Sequence, residues 1–160
     1  MAELFSVEGL GYKVECLRAN VENEVFGPGL GLHLVPHPSL GVVKGIHKNL
    51  WAGGKDKPWS VEPGILFLTF RPEAEKIIMV ISGTHGVEGP AGYDLQMNLL
   101  EKRVHEKLPA DTGLVFVVAL NPWGWANGRR TDGNNVDLNR NGLTVGAPSD
   151  TPPYTSEITA

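Results

Sequence analysis

The sequence predicts an α/β domain with a mostly parallel or mixed sheet and flanking helices. Three observations predict it. Residues 65–70 and 76–82 are apolar runs of strand length, as is the stretch 114–120. After Gly89-Pro90, the apolar residues Tyr93, Met97, Leu100, Val104 and Leu108 recur three or four apart, which is one face of an amphipathic helix. The order strand, helix, strand then defines a βαβ unit whose two strands run parallel with a right-handed crossover.

Residues 1–63 carry scattered glycine and proline, as in Gly27-Pro28-Gly29, Pro36, Pro38, Gly53-Gly54 and Pro58. That pattern favours short strands and turns over long helices. From Ile65 to Phe70 the run is apolar and partly β-branched or aromatic, so it reads as a buried strand. Arg71-Pro72 turns the chain. Lys76 to Ser82 forms a second buried strand that leads into the small residues Gly83 and Thr84. Pro90 suits a helix start because its missing N–H costs little there. Pro109 disfavours a helical Leu108, so the helix is expected to run nearly to it, with His105 solvated on it and roughly 20 Å or more from Glu88 at 1.5 Å per residue. Leu114 to Leu120 is the third buried strand, followed at once by Asn121-Pro122.

The chain divides into a poorly assigned region 1–63, a βαβ core 64–141 and an irregular tail 142–160. With 160 residues, 41% hydrophobic and 20% charged, it has the composition of one globular domain with one core. A formal charge of -4 and the lack of any Lys/Arg run argue against nucleic-acid binding, which needs a clustered basic surface. Cys16 is the single cysteine, so an intrachain disulfide and a Cys-rich metal site are both excluded. The first 24 residues are punctuated by Glu3, Glu8, Glu15, Glu22 and Glu24, unlike a signal peptide. No stretch approaches the roughly 20 apolar residues that span a bilayer. A cytoplasmic location is the resulting expectation.

Two loops carry residues with chemical potential, and both leave the carboxyl ends of strands, where ligands sit in such sheets. In the first, His85 and Glu88 lie three apart among Gly83, Gly86 and Gly89. An imidazole nitrogen and a carboxylate oxygen together suit a borderline metal such as Zn²⁺; spacing alone favours two polar residues on a surface loop, and the position at a strand's carboxyl end brings the two readings level. The second begins at Asn121-Pro122-Trp123-Gly124-Trp125 and continues through Arg129, Arg130, Asn139 and Arg140. Asn139-Arg140 can clamp a carboxylate, because the guanidinium fork pairs bidentately and never loses its charge. Arg129 or Arg130 can polarise a carbonyl and stabilise an oxyanion. An arginine- and asparagine-rich turn with solvated charges is the competing reading. Trp123 and Trp125 read as packing against the sheet, and Trp51 and Trp59 as partly exposed.

Taken together, 82–89, 121–125, Arg129-Arg130 and 136–141 resemble the zinc carboxypeptidase superfamily, including its aspartoacylase-like and succinylglutamate-desuccinylase-like branches, over about 65 residues. The resemblance implies that His85 and Glu88 are zinc ligands and that Asn139 and Arg140 bind the substrate carboxylate. It also implies that Arg130, or else Arg129, polarises the scissile carbonyl. The activity implied is hydrolysis of a peptide or amide bond next to a carboxylate, on a small peptide or acylated amino acid. A non-catalytic module retaining the carboxylate clamp is the alternative.

In that family a third ligand, histidine, and a general-base glutamate lie downstream. Here no histidine follows Arg140, and the later acids are Asp150 and Glu157. The expectation is an incomplete site, which His33, His37 or His47 would have to rescue. A sheet lacking its remaining strands is expected to leave 114–120 with an unpaired edge or an uncovered apolar face, favouring self-association.

Overall fold

The computed structural model describes residues 5–47 and 57–140. It opens with helix α1, Val7–Glu22, contrary to the expectation of strands and turns throughout 1–63. The glycines and prolines that suggested turns lie beyond it, whereas Leu10, Val14 and Leu17 recur at helical spacing and are buried. Ser6 caps the start, its Oγ accepting from the Gly9 N–H at 2.9 Å.

Six strands follow: β1 (Leu30–Pro36), β2 (Val43–His47), β3 (Lys57–Val61), β4 (Gly64–Phe70), β5 (Lys76–Ile81) and β6 (Thr112–Val118). Helix α2 (Gly89–Glu101) joins β5 to β6, and the short α3 (Pro122–Ala126) follows β6. β2 and β3 pair antiparallel in a sheet of their own, while the main sheet has the order β1-β4-β6-β5. It is mixed. β5 and β6 run parallel, as the βαβ reading requires, and the pairs β1–β4 and β4–β6 are antiparallel.

Strand alternation sorts the main sheet into two faces. Leu66, Leu68, Phe70, Leu114, Phe116 and Val118 are buried and share one cluster with Leu10 and Leu17 of α1, Tyr93 and Leu100 of α2, and Trp125 of α3. The expected tryptophan packing holds for Trp125, which is fully buried, and for Trp123, which packs against the cluster. Trp59 is half-buried beside Tyr12, and Trp51 lies outside the described residues. On the opposite face Ile65, Phe67 and Val115 are half-buried and Val35, Ile77, Met79 and Ile81 exposed.

Five further expectations are corrected. β5 is not buried: five of its six residues are exposed, because it lies at one end of the sheet. The unpaired edges of the main sheet among the described residues are therefore β1 and β5 rather than 114–120, since β6 is bonded by β5 on one side and β4 on the other. Helix α2 stops at Glu101, well short of Pro109. Arg103 adopts a left-handed backbone (φ 50°) and the chain continues as a 3-10 turn, Val104–Lys107. That turn folds His105 inward instead of leaving it in solvent. It is fully buried, edge-on to Phe70 with ring centroids 5.1 Å apart. β6 likewise ends at Val118, because the buried Ala119 takes φ 56° and turns the chain toward α3.

Candidate functional site

The site grows from the point where the parallel pair β5–β6 opens. Ser82 follows β5 and remains tied to β6, its N–H donating to Val117 O at 2.8 Å. The loop is then stitched to the exit of β6: Leu120 N–H donates to Ser82 O at 3.0 Å, and Asn121 N–H to Gly83 O at 2.8 Å. Gly83 needs its glycine because φ is +66°. Gly86 needs one for another reason. A Cβ there would overlap the backbone of Gly124 and Trp125, so loop and α3 are in main-chain contact.

Behind the loop stands Gln96 of α2, a polar residue on the buried stripe of the helix and 1% exposed. Its Oε1 accepts from Ser82 Oγ at 2.9 Å, and its Nε2 donates to Val80 O at 3.0 Å and Val117 O at 3.2 Å. Every polar atom of this buried amide is thus engaged, which fixes the strand ends from one side while Asn121 fixes them from the other. The Asn121 Oδ1 also caps α3 by accepting from the Gly124 N–H at 2.8 Å.

His85, 7% exposed, lies between two carboxylates. Its Nε2 is 3.1 Å from Asp137 Oδ1, and its Nδ1 is 3.3 Å from each oxygen of Glu88. A neutral imidazole has one N–H, so it can donate to only one of these partners. With the proton on Nε2 toward Asp137, the Nδ1 lone pair faces the Glu88 carboxylate, and a cation between them relieves the repulsion. The 3.3 Å spacing is close to what two donors show at a tetrahedral angle on one metal with bonds of about 2.0–2.2 Å. These two residues therefore fit a metal as half of a ligand set.

Asp137 is the residue that sequence reasoning left without a role. Besides His85, it accepts from Arg130 Nε at 2.8 Å and from the Asn139 N–H at 2.9 Å. Desolvation raises its pKa, but the Arg130 guanidinium, the Asn139 amide and His85 outweigh that and hold it at about 2. Its signal was present in the motif 136–141, where it stands two residues before Asn139. What singles it out, contact with His85 across 52 positions, is tertiary.

The other candidates fall as follows. Arg130 joins the His85–Asp137 pair. Arg129 is exposed, its backbone N–H donating to Gly124 O at 2.8 Å. Asn139 and Arg140 are exposed on the turn after Asp137, with Arg140 N–H donating to Asp137 O at 2.9 Å and Arg140 Nη1 to Asn139 O at 3.3 Å. Among the described residues no group of three His, Cys, Asp or Glu side chains could hold a metal. His33 is exposed on β1, three strand spacings or roughly 14 Å across the sheet from β5. His37 faces Ser39 Oγ at 3.0 Å, His105 is sealed in the core, and the side chain of His47 lies outside the described residues.

A family model described as "Protein of unknown function (DUF2817)" matches residues 66–158, more than half of the chain. The chain belongs to this family. The DUF2817 match starts inside β4 and takes in both motif loops, hence every residue that meets at His85. The first 65 residues, including α1 and β1–β3, lie outside the DUF2817 match. No curated protein and no solved structure matches the chain. Among the described residues no helix is long and apolar enough to cross a membrane.

Proposed function

We propose that the chain carries the first half of the site of a zinc-dependent hydrolase acting on peptide or amide bonds next to a carboxylate. The supporting observation is the oriented imidazole: His85 Nε2 on Asp137, with Nδ1 facing both Glu88 oxygens at 3.3 Å. A carboxylate behind a ligating histidine is the usual way of fixing its tautomer and raising its basicity. The likeness of the two motif loops to zinc carboxypeptidases supports the same reading.

In this proposal His85 and Glu88 would hold the zinc, and Asp137 accepts a hydrogen bond from His85 Nε2 and keeps the ring aligned. A zinc held there would supply a water of lowered pKa, about 7, and a Lewis acid for the carbonyl. Arg130, anchored through Nε to Asp137, presents its terminal amino groups to the carbonyl oxygen, where developing negative charge strengthens the interaction. Asn139 and Arg140, exposed on the adjoining turn, receive the carboxylate of a small peptide or acylated amino acid. The third ligand and the general base come from outside the described residues.

That last requirement favours a second reading, a binding module that keeps the carboxylate clamp without catalysis. Metal analysis of the purified chain separates the two. Zinc near one per chain, lost in His85→Ala and Glu88→Ala, supports the hydrolase site. A folded wild type without zinc, binding a carboxylate ligand that Arg140→Ala removes, rejects it in favour of the clamp.

A further inference from the structure

We infer that the buried pair Ser82–Gln96 is a positioning clasp for the candidate metal loop, fixing where His85 and Glu88 stand rather than how stable the fold is. The inference rests on the zinc-site reading above. Ser82 Oγ donates to Gln96 Oε1 at 2.9 Å across 14 positions, and His85 and Glu88 both lie on the stretch of chain that this bond closes. Both partners are buried, so water does not compete for the bond.

The start of α2 rests on smooth surfaces. Gly89, Gly92 and Gln96 fall at i, i+3 and i+7, on one face of the helix. A Cβ at Gly92 would come 2.6 Å from the Ser82 Cβ, and one at Gly89 would overlap the Trp125 ring, so the helix backbone lies directly against the strand end and α3. Glycines bring the helix close, but without side chains they form no ridge that stops it sliding along its axis. Gln96 supplies the stop. Its Nε2 donates to Val80 O at 3.0 Å and to Val117 O at 3.2 Å, one carbonyl from each strand of the parallel pair, while its Oε1 takes the Ser82 hydroxyl. Glu88 immediately precedes α2, so an axial shift of the helix carries its carboxylate along, and ligand distances to a metal hold only within about 0.2 Å. Stability does not account for the amide. Without Gln96, Ser82 Oγ still has Val117 O at 3.4 Å, and that carbonyl keeps the Ser82 N–H at 2.8 Å. Replacing both members of a buried polar pair by apolar groups of the same shape is nearly neutral to folding.

The double variant Ser82→Ala/Gln96→Met tests this against Leu17→Ala, which opens a cavity under the fully buried side chain of α1. Urea denaturation, cobalt(II) titration and ¹⁵N NMR of the metal-free proteins are the readouts. The double variant should keep the wild-type urea midpoint and lose about tenfold in cobalt(II) affinity, as when a group supporting a metal ligand is removed. Its metal-free His85 ring should give mixed tautomers where wild type shows Nε2–H, because the ring no longer meets Asp137 in one orientation. Leu17→Ala should do the reverse, lowering the midpoint and leaving the affinity of the folded protein at the wild-type value. Wild-type affinity in the double variant, beside a wild type that binds cobalt(II), overturns the clasp and leaves the zinc-site reading standing. A wild type that binds no cobalt(II) overturns both. A double variant that fails to fold, or whose midpoint falls as far as that of Leu17→Ala, overturns the inference too, since the pair would then serve the fold.

Discussion

Replacing Asp137 with asparagine changes one atom's chemistry at the junction of three contacts, and the geometry predicts the size of the loss. Oδ1 serves both His85 Nε2 (3.1 Å) and the Asn139 N–H (2.9 Å), while Oδ2 accepts from Arg130 Nε at 2.8 Å. An asparagine that keeps its oxygen toward His85 and Asn139 sets its amino group against the Arg130 N–H, a donor facing a donor. If flipped, it would lose both other contacts. The first arrangement preserves two contacts of three, so Asp137→Asn should weaken metal binding by about tenfold, the lower end of the range of about 10–100-fold for such supporting carboxylates. Asp137→Ala removes all three and should approach about 100-fold, or about 2.8 kcal/mol at about 1.4 kcal/mol per decade. Competition against a chelator of known affinity, with cobalt(II) absorption as a second reading of ligand geometry, measures both. Wild-type affinity in a folded Asp137→Ala protein would show that His85 does not rely on Asp137, and the reasoning would fail.

Two further outcomes follow from burial. His105 is fully buried, and neither ring nitrogen has a partner in hydrogen-bonding geometry, although the Phe26 backbone lies near enough to favour protonation weakly. Burial lowers its pKa, so its contribution to stability is fully present above about pH 6.5 and declines as pH falls below that, by at most about 1.4 kcal/mol per pH unit. His105→Leu should lose this slope, and urea denaturation of both proteins at pH 8 and 5.5 would refute the assignment if their losses were parallel. Gly86→Ala forces a methyl group into the Gly124–Trp125 backbone and should destabilise the fold by about 1–3 kcal/mol, whereas a change under about 0.5 kcal/mol in the same assay would mean the loop stands off from α3.

The βαβ unit was legible because β6 is bonded by strands on both edges and buried at six of its seven residues, so it reads as an uninterrupted apolar run. β5 has almost the same composition, and nothing in Ile77-Ile78-Met79-Val80-Ile81 reveals that it lies at an edge, since strand neighbours are chosen by contacts far along the chain. The helix α1 was legible in Leu10, Val14 and Leu17, but the glycines beyond it drew the reading toward turns. In the site, His85, Glu88 and Arg130 stood out by residue type and position after strands. Gln96 and Asp137 did not, because their role consists of what they touch: Gln96 looks like one polar residue on a helix until Ser82, Val80 and Val117 converge on it. His105 misled for a backbone reason. A continuous helix would have solvated it, and the left-handed Arg103 turns it into the core.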